Sequence, residues 1–271
     1  MSHAHPAGGG LLPVLVLAGA LGYDAMASLG RRHWPWWRSA LFLTGAALLA
    51  AGLDPAVSPW PAGDFRTHVL QHLLASMLAP LGLVLGAPVT LLLRTVPAPT
   101  GRQLTRLLHT RPARLLGSPW TALTLTSGGL IALYGTPLYA ATARDPGLHE
   151  LVHAHMLLAG CLFTWVVAGP DPAPRRPAVR VRLVVLGVAI AVHATLAQLL
   201  YAGLFLPGAT VPAAQRHGGA ALMYYAGDIA ELLLAFALVT TWRPVPARRS
   251  RERALVPAAG EVTHCGRSPV R

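Results

Sequence analysis

Long apolar runs alternate along this chain with short segments rich in arginine, proline and glycine. Seven runs, near residues 11–29, 39–56, 67–93, 119–140, 148–168, 181–206 and 218–242, come close to or exceed the roughly 20 apolar residues that cross about 30 Å of hydrocarbon. Backbone amides find no water inside a bilayer, so each run is predicted to be a helix. The expected fold class is therefore all-α, a polytopic membrane bundle of seven transmembrane helices filling residues 1–242. Residues 243–271 are rich in Pro, Arg and Ala with no apolar period, and are expected to form a disordered basic tail held near anionic headgroups.

Polar positions orient the bundle. Of the 22 basic residues, all arginine, 19 fall in the first, third and fifth loops and the tail, while Arg66, Arg144 and Arg216 are alone in the loops between. Basic residues are retained on the cytoplasmic side, which puts the N-terminus outside and the C-terminus inside. The start, MSHAHPAGGG, has no positive charge before its first apolar run and so does not read as a signal peptide; the first span is expected to be retained. In the third loop, TGRQLTRLLHTRPARLLG spaces leucine and arginine like an interfacial amphipathic helix.

Composition sharpens this picture. The chain is 54% hydrophobic and 12% charged with mean hydropathy +0.49, about half the charge of a soluble domain. Its net charge of +12 is spread over loops beside spans rather than gathered on one folded face, which argues against a nucleic-acid partner and for the lipid bilayer. Cys161 and Cys265 have no Cys-x-x-Cys neighbour, so neither a disulfide framework nor a thiolate metal site is expected.

Histidines carry the candidate chemistry. Eight of the 12 (His3, His5, His68, His72, His149, His153, His155 and His217) fall on the arginine-poor side. His68 and His72 share one helix face at i, i+4, and His149 and His153 repeat that spacing with Met156 on the same face. Imidazole nitrogen binds copper, zinc and iron, and methionine sulfur adds a soft donor for Cu(I). Met77 lies about 180° from His68 on an ideal helix, so packing is its expected role unless Pro80 bends the span. A lone histidine near a helix end, such as His155 or His217, is ordinarily an interfacial residue bonded to water or backbone. Two i, i+4 pairs on spans that begin at the same face favour a metal or haem role instead.

The last span places His217, Tyr224, Asp228 and Glu231 along one stripe, and His193 lies near the middle of the sixth. Ionisable groups this deep tend to face a bundle interior. They read either as supporting groups for a metal-bound histidine, as a proton path, or as structural hydrogen bonds.

Three segments resemble the CtaG-type cytochrome c oxidase assembly factors, multi-span bacterial membrane proteins of caa-type oxidase maturation. They are FRTHVLQHLLASMLAPLGLVLGAPVTLLLR, HELVHAHMLLAGCLFTWVVAGPDP and GGAALMYYAGDIAELLLAF, and the likeness extends over residues 64–242. The resemblance implies a protein of the bacterial inner (plasma) membrane that supplies copper to oxidase subunits and carries out no turnover. It implicates His68, His72, His153 and His155, with Met77 and Met156 as soft ligands, whereas the helical wheel pairs His153 with His149. Competing expectations are a zinc or di-iron enzyme using Asp228 or Glu231 as base, a b-type haem protein and a copper permease.

Overall fold

In a computed structural model, residues 11–241 are described apart from 31, 32, 62 and 175, so His3, His5 and the basic tail lie outside the described residues. The chain runs α1 (Leu11–Leu29), α2 (Trp36–Leu53), a 3₁₀ turn (Pro55–Val57), α3 (Phe65–Leu73), a π-turn (Leu74–Leu78), α4 (Ala79–Leu85), α5 (Pro88–Thr95), α6 (Ala98–Leu108), α7 (Arg111–Leu116), α8 (Pro119–Gly135), α9 (Leu138–Thr142), α10 (Pro146–Val167), α11 (Val179–Tyr201) and α12 (Ala213–Thr241). The described residues contain no strand. All seven apolar runs are helical over most of their length. Five stretches are long and apolar enough to cross a bilayer: Trp36–Leu53, Phe65–Thr95, Pro146–Val167, Val179–Tyr201 and Ala213–Thr241. The apolar run Val14–Leu29 of α1 and the 17-residue α8 are shorter.

Several boundaries differ from the hydropathy reading, each for a local reason. Pro137 follows Thr136 and ends α8, so the expected run 119–140 becomes two helices. The run 181–206 stops being helical at Tyr201, because Gly203 takes a φ of +79° and Leu206 one of +71°. Leu206 then donates its N–H to the Tyr134 carbonyl, tying this loop to the end of α8.

The expected third span is interrupted twice. Pro80 has no N–H for the carbonyl of Ser76 and its ring would strike that oxygen in a straight helix. The backbone widens into the π-turn instead, and Ala79 N–H bonds Leu74 five residues back. Ser76 Oγ also donates to the His72 carbonyl at 2.6 Å. The second break falls before Pro88, where Ala87 sits at φ 56° in the left-handed region. Asp171 stabilises the restart: its carboxylate accepts from Val89 N at 3.2 Å, Thr90 N at 2.7 Å and Thr90 Oγ1 at 2.6 Å. Tyr23 Oη donates to the Gly86 carbonyl, and Trp34 Nε1 donates to Tyr23 Oη in turn.

Hydrocarbon is as apolar as leucine, so helices in lipid associate through close packing more than through the hydrophobic effect. Small residues provide it here. A Cβ on Gly82 would meet the Leu41 carbonyl and the Gly45 backbone, so α4 and α2 touch main chain to main chain. The central ring of the bundle is α3–α4, α12, α11, α8 and α10, with α2 packed outside α4 and α1 outside α2.

Candidate functional site

The candidate site lies in the centre of that ring, at the end where α3, α10 and α12 begin. Asp64 caps α3, accepting from Arg66 N at 2.8 Å, and forms an ion pair with Arg66 Nη2 at 2.7 Å. The Arg66 guanidinium holds the Asp64 carboxyl below its ordinary range. On the helix that starts here His68 and His72 are both buried.

Three imidazoles gather there. The His68 ring centre lies 5.9 Å from His153 and 6.2 Å from His149, and His149 and His153 are 4.3 Å apart. His153 Nδ1 is 3.0 Å from the His149 carbonyl, an acceptor only. That bond makes Nδ1 the protonated nitrogen and leaves the Nε2 lone pair free. His68 Nε2 is buried without a hydrogen-bond partner. The rings of Tyr134 and Tyr139 stand edge-on to His68 at 6.2 and 5.0 Å. No three His, Cys, Asp or Glu side chains among the described residues are set around one point as a ready-made metal cage.

One turn deeper, His72 faces a different space. Its ring centre lies 6.3 Å from that of Tyr134, which is thus near both histidines of α3. Below it is a cavity of about 70 Å³ whose wall includes His72, Met77, Met156, Thr164, His193 and Glu231. The π-turn brings Met77 to the cavity that His72 also lines, although an ideal helix would turn them well apart. Close approach of α10 keeps the space small, since a Cβ at Gly160 would run into the Ser76 carbonyl and the Pro80 ring. Gly227 does the same on α12: a side chain there would overlap the His193 ring. His193 Nδ1 is 3.5 Å from Glu231 Oε1, and Glu231 Oε2 is buried with no partner.

Two candidate residues stand apart. His155 turns to α8, with Nε2 3.3 Å from the Leu125 carbonyl and against Gly129. His149, not His155, is thus the neighbour of His153. His217 is half-buried and stacks on Tyr201 with ring centres 4.4 Å apart, outside the central group. Its expected stripe with Tyr224, Asp228 and Glu231 divides because α12 turns only Glu231 fully inward, leaving Tyr224 and Asp228 half-buried. Tyr134 and Tyr139, which wall the histidine group, were not among the residues singled out from sequence. Their place depends on the α8–α9 corner, which hydropathy passes over. Tyr139 and Phe65 also line a wider recess of about 310 Å³ together with Arg144, Thr210 and Gln215.

Residues 20–244 match the family model for the cytochrome c oxidase caa3 assembly factor, Caa3_CtaG. The chain belongs to this family. The match agrees with the likeness drawn from the three helical segments, and it takes in every residue of the central site. Uncharacterized proteins of Mycobacterium bovis and Mycobacterium tuberculosis are each 33% identical over 257 residues, covering 86% of this chain. One from Mycobacterium leprae is 30% identical over 227 residues, covering 77%. This Caa3_CtaG chain spans only 39%, 39% and 34% of those relatives' lengths. No solved structure matches it.

Proposed function

We propose that this Caa3_CtaG chain binds copper as cargo through His68, His149 and His153 and delivers it to a subunit of the assembling oxidase. In this reading all seven long helices cross the bacterial inner membrane with the N-terminus outside and the C-terminus in the cytoplasm, as the arginine distribution argues. The histidine group then opens to the extracytoplasmic face. The observation that carries the reading is the convergence of imidazoles from α3 and α10 around a buried, unpartnered His68 Nε2. A buried polar atom without a partner is costly, and a metal ion is one way to satisfy it. His153 is already in the tautomer that leaves Nε2 free to bind. His149 is half-buried beside it, its ring centre 4.3 Å from that of His153.

A haem reading has less support. Pockets for molecules of that size run from roughly 300 Å³ upward; the central cavity holds about 70 Å³, and the recess of about 310 Å³ has no histidine among its lining residues.

The test is a Cu(I) competition titration of the purified full chain in nanodiscs against a chromophoric chelator. His68→Ala/His153→Ala is expected to remove one bound copper. The loss should exceed the roughly 10–100-fold weakening that altering a mere supporting residue causes. Retention of wild-type affinity and stoichiometry by the double variant would rule out this site.

A further inference from the structure

We infer that the cavity bounded by His72, Met77, Met156, His193 and Glu231 is a second, inner binding site for a soft monovalent metal cation of the Cu(I) class. The inner site takes only its class of metal from the outer-site reading. Its donors come from four parts of the fold: α3 with its π-turn, α10, α11 and α12. His193 and Glu231 extend the metal path to two helices that contribute nothing to the outer histidine group.

Three observations converge on a cation. The first is charge. Glu231 is only 6% exposed, its Oε2 has no partner, and its other oxygen has only the His193 imidazole, 3.5 Å away. Buried carboxylates are paired with cations or coordinate metals, and within a span they face interior cavities. No arginine is among the cavity's lining residues, so a bound cation is the partner that would keep Glu231 ionised there.

The second is softness. Two of the five donors are thioethers, which carry no proton and are only weak hydrogen-bond acceptors. A proton relay or a water pocket gains nothing from them. Thioether with imidazole is a donor set that selects Cu(I) over hard cations. The third is construction. Met77 reaches this wall only because Pro80 forces the π-turn, and π-turns of this kind occur frequently at functional sites. Gly160 and Gly227 hold α10 and the His193 ring close enough to keep the space near the size of one small ion with water.

Tyr134 is common to the two stations, its ring centre 6.2 Å from His68 and 6.3 Å from His72. An ion passing between them moves about one helical turn along α3, exchanging one set of imidazoles for another. The step is a ligand exchange with no change of oxidation state.

Silver(I), redox-inert and similar in ligand preference, is the probe, added as nitrate in chloride-free buffer to the full chain in nanodiscs. The readouts are bound silver per chain and the methyl resonances of the five methionines. Wild type is expected to hold two ions, with the Met77 and Met156 methyls shifting and Met26 unmoved. Met77→Leu/Met156→Leu, which conserves volume, should hold one ion that His68→Ala/His153→Ala then removes. Glu231→Gln, nearly isosteric, should weaken the inner ion at least tenfold and leave the outer one unchanged.

A single wild-type ion lost with His68 and His153 but indifferent to the methionines and Glu231 overturns the inner site and leaves the outer reading standing. A single ion lost with the methionines but not with His68 and His153 supports the inner site and removes the outer one. Two ions retained by the methionine variant, or no binding in wild type, overturns the inference.

Discussion

Single atoms decide how near the helices come. At Gly160 the Ser76 carbonyl occupies the place of a side chain, whereas a Cβ on Gly187 would meet nothing within 4 Å. Gly160→Ala therefore forces the widened turn away from α10, an overpacking effect of about 1–3 kcal/mol. Gly187→Ala gains helix propensity at no steric cost. Thermal unfolding in detergent should show a clear drop in Tm for the first and none for the second; equal Tm values would mean that α10 and the π-turn have slack between them. The same scale explains what sequence could tell about His153 and His155. Their spacing put them on different faces of α10, and that much was legible. Which face met His68 was not, because it depends on where α3 lies.

At the scale of elements, the informative feature is the broken third span. Pro80 and Pro88 announce interruptions, but a proline in sequence does not say whether the chain kinks, widens or stops. Here the first produces a π-turn and the second a full break closed by Asp171. The partners of that break, Asp171, Tyr23 and Trp34, are distant in sequence from Pro88 and carry no local signal of the role. Asp171→Ala would leave the half-buried N–H groups of Val89 and Thr90 without their acceptors, a cost toward the lower end of the roughly 1–3 kcal/mol for an unsatisfied buried donor. The expected result is a lower Tm with the outer histidine group still binding silver, since Asp171 sits at the opposite end of α10 from His149. Loss of outer-site binding in step with Tm would show the two ends to be coupled.

At the scale of the whole molecule, five stretches qualify as spans on length and composition, and α1 and α8 are the short ones. The arginine pattern has both crossing: α8 so that α3 and α10 begin on the same side, and α1 so that the N-terminus lies on that side too. With Cys161→Ser and Cys265→Ser as background, Thr210→Cys and Thr105→Cys probe opposite ends, and both positions are exposed. A membrane-impermeant maleimide should label position 210 in intact cells and position 105 only after permeabilisation. Labelling of both from one side would remove the seven-span arrangement and the outward histidine group with it.

Hydropathy and charge spacing act locally, through the transfer of residues into hydrocarbon and the retention of arginine on one side. For that reason the helical class, the seven apolar segments and the i, i+4 histidine pairs could be read from the chain alone, and family membership followed from short motifs on single helices. The division of the donors into an outer imidazole group and an inner cavity could not. It depends on Pro80 widening one turn, on glycine backbones touching across helices, and on Tyr134 of α8 lying edge-on to both His68 and His72. Apart from the proline's own turn, those are contacts between residues tens of positions apart or more, and only the folded packing brings them together.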